Sequence, residues 1–348
     1  MKKRKVLAVL LCAAMTAALA VGCGGSKGSD SSDKSSDSSS SSDDVITVGF
    51  SQVGAESDWR TANSQSMKDT FSKENGYDLI FDDAQQKQEN QITAIRNFIQ
   101  QEVDYILLAP VTETGWDTVL QEAKDADIPV IIVDRMVDVS DDSLYTAWVG
   151  SNFKLEGQKA MAWLDAYLEA KGRGDEEINL VDIQGTIGAS AQIGRTQGFD
   201  DAVEAHDNWT TLAQQSGEFT QAKGQEVMES ILKQSGDDID VVYCENDNEA
   251  FGAIDAIKAA GYEVGGEEGQ ILVMSFDTTN AGLTQTLSGE ITCDTECNPL
   301  HGPRVEEIIQ KLEAGEDVDK QAFVDEVAFA SDDTVTKVTI DGTDYDIT

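Results

Sequence analysis

The chain has 348 residues, with 65 acidic and 25 basic side chains and a formal charge of −40 at neutral pH. That surplus excludes nucleic acid as a partner, because a phosphate backbone demands a basic face. It suits a solvated surface outside the cell.

The first 22 residues read as a signal peptide. "MKKRK" supplies four positive charges, and a sixteen-residue apolar core, "VLAVLLCAAMTAALAV", runs up to Gly22-Cys23. The core is short for a membrane span, which needs about 20 residues. Gly22-Cys23 resembles a bacterial lipoprotein cleavage site, with Cys23 as the lipidated first residue, although Ala20 stands where that motif prefers a larger aliphatic side chain. The alternative is an uncleaved anchor. Cleavage removes Lys2, Lys3, Arg4 and Lys5 and takes the formal charge from −40 to −44. Residues 23–44 are then the lipidated cysteine and a tether of Ser, Gly and Asp that has nothing to bury.

The stretch 45–348 is long enough for two domains. Short apolar runs recur in it: "VITVGF" (45–50), "YDLIFDD" (77–83), "DYILLAP" (104–110) and "IPVIIVD" (128–134). Between them, 88–101 places Ile92, Ile95, Phe98 and Ile99 on one helical face, and 114–127 repeats the pattern. The second half has "INLVDIQG" (178–185), "WTTLAQQSG" (209–217), "DVVYCEND" (240–247) and "ILVMSFD" (271–277). Apolar strands alternating with amphipathic helices predict two doubly wound α/β lobes with parallel sheets.

The segment "YTAWVGSN" (145–152) fits neither series and is read as a crossing between lobes. After "ITCDTECNPL" (291–300) come a helix, then strand-like "FVDEVAFA" and "VTKVTI", so the chain is expected to return to the first lobe and cross back. The predicted lobes are 45–149 with 297–328, and 150–296 with 329–348. Cys244, Cys293 and Cys297 read as small buried residues, the alternative being one disulfide through Cys244.

Ligands of open parallel sheets bind beyond the carboxyl ends of the strands. The residues found there are Glu56, Trp59 and Arg60, then Asp134 and Arg135, then Arg195, Asn246 and Asp277, with Glu296 and Asn298 around 296–298. Planar carboxylate, amide and guanidinium groups hold neighbouring hydroxyls in pairs, and an indole face packs on the C–H face of a sugar ring.

"VGFSQVGAESDWR", "QQKQENQ", "APVTETGW", "IPVIIVDR", "QGTIGASAQIGRTQGF", "SGEFTQAKGQEVMES" and "ECNPLHGP" carry a resemblance over 45 to about 325. They are similar to the ribose/galactose-type (type 1) periplasmic sugar-binding proteins of ABC importers, most of all the galactofuranose-binding branch. The resemblance implies two lobes, three crossing strands and a hinge, a monosaccharide ligand, and an ABC permease with its ATPase as partners of a monomer. It places Trp59 and Arg60 over the sugar ring and Asp134 and Arg135 on its hydroxyls. Arg195, Asn246 and Asp277 reach from the second lobe, Phe219 forms an apolar wall, and Glu296 or Asn298 lies near the second crossing. Ribose binders of the family place two adjacent aromatics where this chain has Trp59-Arg60, which implies a ligand with more hydroxyls than a pentose.

An enzyme is the first rival. No Ser or Cys has a recognisable base partner, no GxGxxG follows a strand, and no metal or cofactor site is expected. A repressor of the same architecture would need a basic DNA-binding segment before residue 45, where the signal and tether stand instead. A sensor subunit presenting a sugar or autoinducer-type ligand to a membrane receptor, or a binder of another pentose or hexose, stays open.

Overall fold

Apolar runs that end in polar residues become the strands of two sheets in the computed structural model, which describes residues 45–348. The signal segment, Cys23 and the tether lie outside the described residues. The first half gives β1 (Ile46–Gln52), β2 (Tyr77–Asp83), β3 (Tyr105–Leu108), β4 (Val130–Val133) and β5 (Ala147–Gly150). The second gives β6 (Ile178–Gln184), β7 (Trp209–Ser216), β8 (Val241–Cys244), β9 (Leu272–Asp277) and β10 (Cys293–Glu296). Two short strands come next, β11 (Gln321–Phe323) and β12 (Ala328–Ala330), then a hairpin of β13 (Lys337–Ile340) and β14 (Thr343–Asp346).

The sheet orders are β11-β5-β4-β3-β1-β2 and β12-β10-β9-β8-β6-β7. All pairings in both sheets are parallel except β12 against β10. In each, the order reverses at the first strand of its half, between β1 and β3 and between β6 and β8.

Each sheet is covered on both faces, as parallel sheets require. Along β4, Ile131 and Val133 pack with Met67 of α1 (Asp58–Thr70), with Phe71 just after it, and with Val305 and Ile309 of the helix Gly302–Glu313. The alternate residues Val130 and Ile132 pack with Ile95 and Phe98 of α2 (Gln88–Gln100) and Leu120 of α3 (Asp117–Asp125). In the second sheet, α4 (Phe153–Ala170) and α5 (Ser190–Ala205) bury Met161, Trp163 and Phe199 on one face. On the other, α6 (Gln221–Ser235) and α7 (Asp247–Ala259) bury Met228, Ile231 and Ile257. Each such side chain contributes about 1.5–3 kcal/mol relative to exposure. Among the described residues no helix is long and apolar enough to cross a membrane.

The chain passes between sheets three times: after β5, after β10, and between β11 and β12. Two sequence expectations change. "YTAWVGSN" is not a bare crossing. Its residues 147–150 are β5, paired with both β4 and β11, and the passage to the second sheet begins only after Gly150. "FVDEVAFA" is not one strand. Its first residue, Phe323, ends β11 in the first sheet, and Ala328–Ala330 are β12 in the second, so the third crossing runs over 324–327 and the expected boundary at 328/329 falls inside β12. A run of alternating apolar residues does not announce which sheet each end joins. Cys244, Cys293 and Cys297 are buried and free.

Candidate functional site

The loops leaving β1, β4 and β5 face those leaving β6, β7, β8, β9 and β10 across a cleft. Nine of the eleven residues expected at the site line one cavity there: Glu56, Trp59, Arg60, Asp134, Arg135, Arg195, Asn246 and Asp277 from the strand ends, and Phe219 from the family resemblance. The space between them, its open mouth included, is about 290 Å³. Ser57, Phe153, Ala191 and Cys297 complete the lining.

The local folding of each wall fixes these side chains. Ser57 caps α1 by accepting from the Arg60 N–H at 3.1 Å, so Trp59 and Arg60 begin the helix beside the cleft. Trp59 is 4% exposed, and its Nε1–H donates to the Cys297 carbonyl at 2.6 Å. Arg60 lies over that indole, 4.6 Å from the ring centre. Arg60 Nε donates to Glu56 Oε1 at 3.1 Å, and Nη2 forms a 2.7 Å ion pair with Asp134 Oδ2. That pair is poorly directed as a hydrogen bond, which leaves Asp134 Oδ2 without an aligned donor. Burial opposes the Arg60 charge, but Asp134 and Glu56 outweigh it and hold the guanidinium above its ordinary value. Arg135 donates Nη1–H to the Val111 carbonyl at 3.1 Å and stands 5.0 Å from the Phe219 ring centre. Burial, with Arg60 adding to it, pulls Arg135 down to about 10, so it stays charged at neutral pH.

On the facing wall, Arg195 Nε donates to Glu156 Oε2 at 2.8 Å, Nη1 donates to the Glu245 carbonyl, and Nη2 reaches Asp277 Oδ1 at 3.5 Å. Burial opposes the charge of Arg195, but Glu156 and its neighbours raise it well above the usual value. Burial pushes Asp277 well above the usual carboxylate range, and the long contact to Arg195 does not offset this. Asn246 caps α7 through its side-chain oxygen, accepting from Glu249 N–H at 2.8 Å, and donates to the Phe219 carbonyl at 3.2 Å. Phe219 has φ 60°, a left-handed conformation costly for a bulky residue. Its ring lies where Gly185 has no Cβ; one placed there would stand 1.9 Å from the ring.

Trp59 packs in a separate apolar cluster with Phe153, Ala189, Ala191, Phe219 and Cys297, which joins the two lobes. The cleft is closed: Glu113 N–H donates to the Gly188 carbonyl at 2.9 Å, Met136 N–H to Ser190 Oγ at 2.8 Å, and Asp58 N–H to Asn248 Oδ1 at 2.9 Å. Glu56 Oε2, Arg60 Nη1 and Arg135 Nε of the lining are buried without hydrogen-bond partners. Such groups are costly unless something bonds them.

Glu296 and Asn298 do not line the cavity. Asn298 Nδ2 donates to Glu296 Oε1 at 3.1 Å, and Val327 N–H donates to Glu296 Oε2 at 3.2 Å, tying the second crossing to the third. Extended residues alternate sides, so Cys297 between them faces the cleft. His301 lies behind Trp59, 5.8 Å between ring centres, and burial pulls it down to about 4.

The match to known families falls on this architecture. The periplasmic binding protein domain model covers residues 48–295. The chain belongs to the periplasmic binding protein family. It is 44% identical over 261 residues to the galactofuranose-binding protein YtfQ of Escherichia coli, covering 74% of this chain and 79% of that protein. A Mycobacterium smegmatis protein solved in complex with β-D-fucofuranose superposes with a TM-score of 0.78 at 41% identity, over 83% of this chain and 92% of that one. The binding component of the arabinose ABC transporter from Shewanella sp. ANA-3, bound to α- and β-L-arabinofuranose, superposes with a TM-score of 0.76 at 42% identity, over 83% and 93%. This chain is thus a solute-binding protein of the kind that serves ABC sugar transporters, with the two-lobe, three-crossing fold expected from its sequence.

Proposed function

We propose that this protein captures a furanose, galactofuranose or a closely related five-membered ring sugar, between its lobes and hands it to an ABC permease and its ATPase. The observation that carries the reading is the composition of the closed cavity. One indole, three guanidiniums and four acidic or amide side chains from opposite lobes line it. Trp59 presents its face to the ring, since its N–H is already committed to the Cys297 carbonyl. Arg60 and Arg135 retain free N–H groups for hydroxyls. Asp134, Asp277 and Asn246 receive or share the hydroxyl protons. The similarity to proteins solved with fucofuranose and arabinofuranose supports a five-membered ring. Hydrogen bonds that a ligand makes to both lobes exist only when the lobes are together, so binding shifts the population to the closed form, the shape a permease would recognise. A lipid on Cys23 and the serine tether would keep the protein at the outer face of the membrane.

One experiment addresses ligand and anchor together: mass spectrometry of natively extracted protein. The expected result is a diacylglyceryl mass on Cys23 and a co-purifying hexose. A correctly cut, unlipidated chain would remove the anchor, and a non-carbohydrate ligand would remove the sugar reading.

A further inference from the structure

Glu326 sits on the third crossing, yet it is bonded to the other two. Its Oε1 accepts from Ser151 Oγ on the first crossing at 2.7 Å and from the Asn298 N–H on the second at 2.7 Å. Its backbone carbonyl accepts from Lys159 Nζ of α4 at 2.6 Å. Opposite it stands Glu156, 1% exposed, whose Oε2 accepts from the cleft arginine Arg195 while its Oε1 has no donor. Carboxyl oxygens of Glu156 and Glu326 and the Cys297 Sγ lie within 4.8 Å of one another. Two ionised carboxylates so close in a dry place repel, and one shared proton relieves this. Placed on the remaining oxygen of Glu326, that proton also gives Glu156 Oε1 its missing donor.

We propose that Glu326 holds this proton, so that the Glu156–Glu326 pair is a latch that fastens the three crossings together and positions Arg195 toward the bound ligand. The role assigned to Arg195 rests on reading the cleft as a sugar site. Glu326 and Glu156 are positioning residues, since neither lines the cavity. The titratable groups around the pair are Arg195 from α5, Lys159 from α4, Cys297 and Glu296 at the second crossing, Asp325 on the third, Asp277 from β9 and Tyr243 from β8. Burial, with Glu156 beside it, pushes Glu326 up to about 9, so the proton is present at neutral pH. Burial raises Glu156 too, but Arg195 opposes this and makes it the ionised member.

The unfolded chain releases the same proton near the ordinary glutamate value. The native state therefore holds more protons between about pH 4.3 and about 9, and its stability falls as pH rises through that window. The test compares wild type, Glu326→Gln and Glu326→Ala from about pH 6 to about pH 9.5, by melting temperature without sugar and by calorimetric affinity for D-galactose, whose solutions contain the furanose. The Gln amide donates to Glu156 without titrating. Glu326→Gln is expected to show a flatter melting profile than wild type and an affinity within about twofold of it at pH 7, while Glu326→Ala binds about tenfold more weakly. The latch is overturned if Glu326→Gln keeps the wild-type pH slope, or binds as weakly as Glu326→Ala. It is also overturned if a chelator abolishes wild-type binding, which would name a metal ion as the occupant. If the wild type binds no galactose but Glu326→Gln still flattens the melting profile, the sugar reading fails and the latch stands.

Discussion

The two lobes share a strand order and differ in what they put at the strand ends. The fourth strand of each half carries an aspartate with positive φ at its carboxyl end, Asp134 just after β4 at 64° and Asp277 as the last residue of β9 at 104°. Such backbone costs of order 1–3 kcal/mol and concentrates at functional sites. Beyond that matched pair the walls diverge. The first lobe brings two guanidiniums with unpartnered N–H groups, Arg60 and Arg135. The second brings one, Arg195, already bonded to Glu156, Asp277 and the Glu245 carbonyl. The first lobe thus has both donors and acceptors to spare, the acceptors being Glu56 Oε2 and Asp134 Oδ2, while the second adds Asp277 and Asn246 beside an arginine that is already committed. A sugar hydroxyl donates and accepts at once. A polyol satisfies both walls only when the lobes are together, which is a physical reason for closure to depend on the ligand.

Removing a group from each wall breaks this comparison unequally. Arg195→Ala leaves Glu156 buried and uncompensated, a change that costs about 3–5 kcal/mol. It is expected to lower affinity about a hundredfold and to lower the melting temperature as well. Asp134→Ala removes one acceptor beside Arg60, costs about 1–3 kcal/mol, and is expected to weaken binding roughly tenfold while the protein stays folded. Calorimetry paired with melting curves checks both. Equal losses, or wild-type affinity in either, would contradict the asymmetry.

A smaller effect sharpens it through pH. Burial pushes Glu245 up to about 8 and Asp277 well above the usual range, so the second lobe holds protons that the unfolded chain releases near pH 4. Stability of the sugar-free protein should therefore fall as pH rises from about 5 to about 8. Asp277→Asn mimics the protonated acid without titrating and should reduce that slope. An unchanged slope in melting experiments would show that Asp277 is ionised in the native state.

Much of the site was legible because strand ends are legible. Asp134, Asn246 and Asp277 each follow a run of buried β-branched or aromatic residues, and the fold then decides that they converge. What escaped has definite causes. Phe153 follows β5, whose sequence reads as a crossing and so does not mark a strand end. Cys297 stands between Glu296 and Asn298, whose polar groups look like better ligands, but extended backbone turns neighbouring residues to opposite sides and gives the cleft to the cysteine. Glu326 stood inside a segment read as one strand. Its partners, Ser151 and Asn298, lie 175 and 28 residues away in sequence, and no local pattern shows such bonds.

The central claim, that the cleft selects galactofuranose or a closely related furanose, is tested most directly by competition titration of galactofuranose against ribose, in wild type and in Arg60→Phe. Arg60 Nη1 is buried without a partner, and a ligand that leaves it so is penalised by about 1–3 kcal/mol. The account predicts that galactofuranose binds wild type about tenfold tighter than ribose or better, and that Arg60→Phe narrows the gap. Ribose or glucopyranose displacing galactofuranose from wild type would contradict it.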